Sequence, residues 1–286
     1  GTDSAPLAEA FRSHFVAESN PDAARRGGVI QPLLNNTLEQ MFADADLKVS
    51  AKELQFSGQI SADASQRTVA RLKELFGEEM AFAKRTSPLK QVANGFLLYA
   101  DRNNETFPQN VYSADGKPLL SWRVQLLPVA DYEAIYKQLK LDEPWDSAHN
   151  AALLKQVNPR LFACNPKTPD GHADILAIVE PETVGFLSQQ WDGRPASIGA
   201  FTDGMAYTAM AVEVSPERSL PWAKPDDFAW NPAEPAAGLG RDGENFFIAV
   251  FGDTRVMRIS KDESAETLRS MFHRHDGKPY DLKPVQ

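Results

Sequence analysis

Phe246-Phe-Ile-Ala-Val-Phe251 runs into Gly252-Asp-Thr254 and then Arg255-Val-Met-Arg-Ile259. A short apolar run bounded by turn residues reads as a strand. The residues after the turn alternate, so the two runs read as an antiparallel hairpin. Working outward, Ser264 to His273 is a closing helix, with Gly277 as its stop signal. Ile175 to Val179 and Met205 to Val214 are further strand candidates. Ser215 to Gly243, between Val214 and the Phe246 strand, is rich in Pro, Ala and Gly and reads as an extended, decorated loop.

Upstream, Leu89, Val92, Ala93, Phe96, Leu97 and Ala100 recur at helical spacing. Val69, Leu72, Leu75, Phe76 and Met80 share a face in the stretch before them. Ser87-Pro88 falls between. Proline in a helix interior costs about 3 kcal/mol but suits the first helical position, so Ser87 reads as an N-cap and Pro88 as a fresh start or a kink. Asn103-Asn104 ends the element. Leu119 to Val124 with Leu126-Leu127 reads as a strand, and Asp131 to Lys140 and Asp146 to Val157 as short helices. Near the start, Pro6 to Glu18 and Val29 to Asp44 read as helices. Leu47 to Ile60 reads as two strands joined at Ala51-Lys52. The fold class is therefore α+β, a long helix against a mainly antiparallel sheet. Residues 1–66 form a small helix-helix-hairpin appendage, read as the tail of a larger upstream unit, and residues 67–286 form the main domain.

Lys plus Arg number 30 and Asp plus Glu 39 in 286 residues, a net charge of −9. That balance opposes nucleic-acid binding and a polybasic membrane-surface role. Hydrophobic residues at 42% are enough for a sizeable core and exclude disorder as the overall state. The single cysteine, Cys164, excludes a disulfide framework. No apolar run reaches the roughly 18 residues of a membrane span. No signal peptide is visible at Gly1 to Ala10, and a start on Gly rather than Met suggests a processed or engineered end.

Each chemical motif has a plainer structural reading. Gly238-Leu-Gly240-Arg-Asp-Gly243 matches a dinucleotide fingerprint, but a loop precedes it and a strand follows it, so it reads as a turn. Ser87-Pro-Leu-Lys90 matches an acyl-enzyme motif without its partner motifs and reads as a helix cap. His273-Arg-His275 has no third ligand near in sequence and reads as a solvated C-cap rather than a metal site. Cys164 reads as a buried structural thiol. The pairs Asp142-Glu143, Asp226-Asp227 and Asp262-Glu263 read as solvated surface. Trp122-Arg123, Trp145-Asp146 and Trp222-Ala-Lys224 place indoles beside charge, which suits a ligand groove or, more simply, a packed core.

Several strings resemble one bacterial family, the pilin-like, pseudopilin-like family numbered 1559 among domains of unknown function, also catalogued under a solute-binding label. They are Asp115-Gly-Lys-Pro-Leu-Leu-Ser-Trp-Arg-Val124, Ile135 to Asn150, Phe162-Ala-Cys-Asn-Pro166, Phe201-Thr-Asp-Gly204 running into Ala211-Val-Glu213, Leu220 to Asp227, Val250 to Val256 and Glu266-Thr-Leu268. The resemblance implies an N-terminal prepilin-like helix followed by a mostly antiparallel sheet. The family commonly shows a His ten residues before an Asp-Gly. Those positions here are Gly243, Asp253 and Thr254, so the Asp remains while the His and the Gly do not. The resemblance brings no catalytic residues.

Three functions follow as expectations. The first is a non-enzymatic cell-envelope protein, periplasmic or extracellular by resemblance, in assembly or surface scaffolding with other envelope proteins. The second is a binding module for a small molecule, glycan or peptide, using Trp122, Arg123, Trp145, Asp146, Asn150, Asp203, Glu213, Trp222 and Asp253. The third is a carboxylate-dependent hydrolase. No cofactor and no metal are expected.

Overall fold

The structure, a computed structural model, describes residues 46–50, 53–57, 62–158, 160–179 and 195–285. The helices expected at Pro6 to Glu18 and Val29 to Asp44 lie outside these residues. The chain divides into two compact units, Gly1–Met80 and Ala81–Gln286.

In the first unit, β1 (Asp46–Ser50) and β2 (Glu53–Ser57) pair antiparallel, with Ser50 opposite Glu53. This is the expected hairpin. Helix α1 (Ala62–Arg102) then continues into the second unit without interruption at Pro88. The expectation of a fresh helix capped by Ser87 is thereby corrected. Ser87 is exposed within the helix, and its hydroxyl accepts a hydrogen bond from the Gln91 side chain at 3.3 Å. What holds the helix through the proline is packing. Leu89, Val92, Ala93, Phe96 and Ala100 are all 0–2% exposed and belong to the core of the second unit. Burying a Leu, Val or Phe contributes roughly 1.5–3 kcal/mol each, enough together to exceed the cost of about 3 kcal/mol for the proline. The helix ends where Asn104 and Glu105 take left-handed backbone angles, with φ of 54° and 60°.

β3 (Val111–Tyr112) and β4 (Pro118–Leu120) pair antiparallel. The strand expected through Val124 stops at Leu120. Ser121 turns the chain instead, its hydroxyl accepting the Arg123 N–H, and a helical turn α2 (Trp122–Gln125) follows. The physical reason is that Trp122, Arg123 and Val124 are all fully buried, whereas a strand sends neighbours to opposite faces. A 3-10 turn, Leu127–Val129, and two short helices, α3 (Glu133–Tyr136) and α4 (Ala148–Leu154), come next. Ser147 caps α4 by accepting the Asn150 N–H.

The short strands β5 (His172–Ala173), β6 (Ile175–Leu176) and β7 (Ile178–Val179) replace the single strand expected there. β8 (Ala209–Glu213) is buried at every position. β9 (Leu220–Pro221) pairs with β5, and β10 (Phe228–Ala229) runs parallel to β7. β11 (Phe246–Phe251) and β12 (Val256–Ser260) form the hairpin read from the sequence, with Val250 opposite Val256. The main sheet has the order β12-β11-β8-β6 and is antiparallel throughout. Helix α5 (Ala265–Phe272) closes the unit, capped by Ser264, whose hydroxyl accepts the Thr267 N–H. The class is α+β. Among the described residues, no helix is long and apolar enough to cross a membrane.

Gly240 shows why the GxGxxG string is a turn. Its φ is +66°, and a Cβ there would stand 2.7 Å from the Phe246 carbonyl oxygen. The glycine lets the chain pass over β11 and is not a phosphate cradle.

Candidate functional site

The nine residues singled out as ligand-binding candidates are distributed over several intramolecular networks and the surface. Trp122 and Arg123 enter the interior on the α2 turn and meet Asp227, which arrives beside β10. Asp227 accepts the Trp122 indole N–H at 3.1 Å and an Arg123 Nη2–H at 2.7 Å. It also accepts the Ala177 N–H and the Asn110 side-chain N–H, each at 3.1 Å. Both charged side chains have no exposure. Arg123 donates further to Ser121 Oγ at 2.9 Å and to the Ile175 carbonyl at 3.2 Å. Its guanidinium stands 4.3 Å over the Trp122 ring. Burial lowers the Arg123 pKa even though Asp227 supports the charge. Asp227 was expected on a solvated surface. The signal that contradicts this is Arg123 inside the apolar run Leu119 to Leu127, because a cation there requires a buried counter-ion.

Trp222 is 6% exposed and stacks on Phe162 with centroids 5.5 Å apart, and Phe162 meets Trp122 edge-on at 6.3 Å. Trp145 is half-buried against the core. Asp146 is exposed. Asn150 is fully buried and ties down the loop before it, donating to the carbonyls of Lys140, Glu143 and Pro144 at 2.9, 3.2 and 3.1 Å. Asp253 is exposed in the β11–β12 turn and accepts from Arg255. Asp203 accepts the backbone N–H groups of Asp276 and Gly277 at 2.6 and 3.0 Å.

A second charged cluster forms where the end of β8 meets α1. Glu213 has no exposure and accepts from Arg85 Nε at 3.0 Å and Arg241 Nε at 2.9 Å, with a further short contact to Arg85 Nη2. Arg85 also pairs with Glu244 at 2.7 Å. Burial works against the Arg85 charge, but Glu213 and Glu244 outweigh it and raise its pKa. Nearby, Asp174 accepts the N–H groups of Cys164 and Asn165 at 2.8 Å and the Thr168 hydroxyl at 2.6 Å. Burial raises the Asp174 pKa and pushes the Cys164 thiol well up, consistent with an inert thiol rather than a nucleophile. Arg85, Arg241 and Asp227 were not among the predicted site residues, since nothing local marks a partner that lies 128, 28 or 104 positions away.

A cleft of about 400 Å³ runs beside α1. Val92, Gly95, Leu126, Val129, Leu161 and Phe162 line it, with Gln91, Asn94, Leu98 and Asp131 also in the lining. Asp131 holds a left-handed φ of 65° there. None of the nine predicted residues lines this cleft. Its volume falls in the range typical of small-molecule sites.

Neither the curated proteins nor the solved structures contain a match to this chain. A family model does match, over residues 86–184, and its description is a protein of unknown function (DUF1559) under a solute-binding label. That stretch holds the second half of α1, the Trp122–Arg123 turn and the β6 strand, together with the strings Asp115–Val124 and Ile135–Asn150. The family whose model matches residues 86–184, about a third of the chain, is the one the sequence resembles.

Proposed function

We propose that this chain is a non-enzymatic cell-envelope protein, pilin-like in descent, that serves in assembly or surface scaffolding. The observation that carries this reading is where the interior charge goes. Glu213 and Asp227 are answered by arginines, and Asp174 by a hydroxyl and two N–H groups. A hydrolytic acid/base pair needs two carboxyls facing one another in a cleft, and these three are engaged by other partners. The solute-binding label supports an envelope location.

A second reading, a binding module, is favoured by the cleft beside α1, with its apolar lining and polar Gln91, Asn94 and Asp131. A thermal-shift screen of the full chain against glycans, peptides and common metabolites separates the two. A ligand at a hundred times its dissociation constant adds about 2.7 kcal/mol of stability, visible as a rise of a few degrees. Scaffolding predicts silence in that screen, with the protein recovered from the envelope fraction in a larger assembly. A hit abolished by Gly95→Leu, which fills the cleft, overturns scaffolding in favour of ligand binding. Recovery as a free cytosolic monomer overturns scaffolding, and silence across the screen overturns ligand binding.

A further inference from the structure

His273-Arg-His275 follows the last helix, with Asp276 next in the chain. The fold adds a distant carboxylate. Asp203 comes from the loop before β8, seventy positions away, and Asp276 from the turn after α5. One donor atom from each of Asp203, His273 and Asp276 lies within 4.8 Å of the others, and all three residues are half-buried. We propose that these three side chains bind a divalent transition-metal ion of the zinc class. This inference stands apart from the scaffolding reading.

The donor set selects the class of ion. One imidazole with two carboxylates suits zinc, cobalt or manganese, whereas calcium takes six to eight oxygens and magnesium keeps most of its waters. A tetrahedral ion with bonds of about 2.0–2.2 Å holds its donors roughly 3.4 Å apart, so small side-chain rotations close the site. Three protein ligands leave a further position for water or for the neighbouring His275, whose ring centroid lies 4.7 Å from that of His273.

The carboxylates are already oriented. Asp203 accepts two backbone N–H groups from the turn that carries Asp276. Asp276 in turn accepts the Ser270 hydroxyl at 3.1 Å and the Lys278 N–H at 2.9 Å. Each carboxylate oxygen keeps a lone pair beyond these bonds. Bonds of this kind are what orient metal ligands elsewhere. His273 Nδ1 accepts the His275 N–H at 3.2 Å, a long bond that an ion on that nitrogen replaces. The ion also neutralises two carboxylates brought together by the loops.

The test uses the full chain stripped with a chelator. Zinc chloride is titrated by calorimetry, and cobalt chloride is followed by its visible absorption, which reports low-coordinate nitrogen and oxygen ligation. One-to-one binding of both is expected. His273→Gln and Asp276→Asn should each weaken binding at least about 100-fold, more than the loss typical of supporting residues. His273→Gln leaves the Asp203 clasp in place, and circular dichroism confirms that it folds. His275→Ala should change affinity less than tenfold. The proposal is overturned if zinc shows no saturable binding at millimolar concentration. It is overturned equally if His273→Gln binds as wild type, or if binding depends on His275 but not on Asp276.

Discussion

Asp227→Ala removes the buried anion that pairs with Arg123. Its carboxylate is unexposed and receives four donors, from Trp122, Arg123, Ala177 and Asn110, at 2.7–3.1 Å. Breaking a buried pair by deleting one partner costs about 3–5 kcal/mol, because the remaining charge stays buried without compensation. The orphaned indole and amide donors add to that at about 1–3 kcal/mol each, though not additively. A total near 5 kcal/mol, against a typical domain stability of about 5–15 kcal/mol, leaves a marginal protein. In a unit of this size each kcal/mol moves Tm by about 2–4 °C, so the expected fall is about 10–20 °C. Calorimetry and guanidinium titration of the soluble fraction measure it. A companion, Arg123→Met with Asp227→Leu, removes both charges and should be the more stable of the two variants, since no unpaired ion remains. A loss below about 1 kcal/mol for Asp227→Ala, or a double variant less stable than the single, refutes the reasoning.

Thr254 sits in the β11–β12 turn with a φ of 68°, a strained setting for a β-branched residue, at the position where the resembled family carries glycine. Thr254→Gly should raise stability by about 1 kcal/mol in a denaturant melt; a loss would show that the threonine makes a contact worth more than its strain. Trp122→Ala should cost about 3–5 kcal/mol, as the ring has no exposure, while half-buried Trp145→Ala should cost clearly less in the same thermal melts; equal losses would contradict the burial difference. Burial holds the Tyr280 hydroxyl, which donates to the Tyr207 carbonyl, well above its ordinary range. Its folded pKa is raised, so its contribution is complete below the unfolded value near 10 and fades above it. Tyr280→Phe should flatten the alkaline limb of a stability profile above pH 10, and an unchanged limb would assign that limb to other groups.

The sequence made the fold class legible where periodicity was strong. The β11–β12 hairpin, the β1–β2 hairpin and α5 with its Ser264 cap all follow local rules, since the turn residues and caps lie within the elements they shape. Leu119 to Leu127 was misread because a run of apolar residues does not distinguish a strand from a buried helical turn, and Ser121 decides the matter only through its hydroxyl. Pro88 was misread because its cost is local while the packing that offsets it is tertiary. The candidate residues divide the same way. Trp122 and Arg123 were visible as an unusual pair, but their partner Asp227 was not, because a contact across a hundred residues leaves no local trace. Asp203 left no local trace either, lying seventy positions before His273, whereas Asp276 stands three positions after it.

The matched stretch and the physical folding unit differ in extent, and the difference follows from charge. Arg123 lies inside residues 86–184, yet its counter-ion Asp227 lies outside. β6 lies inside, yet Ile175 and Leu176 pair with Glu213 and Val212 of β8. The apolar stripe of α1 likewise shares its core with Phe247, Ile248 and Val250 of β11. A chain ending at residue 184 would therefore keep a buried guanidinium with no anion, a strand with no neighbour in the main sheet and a helix without the β11 part of its core. The unpaired charge alone costs about 3–5 kcal/mol, a large part of a typical domain stability of about 5–15 kcal/mol. The matched segment carries the residues that pose the structural demands, and the sequence after it carries those that meet them: Asp227 for Arg123, and Glu213 and Val212 for Ile175 and Leu176.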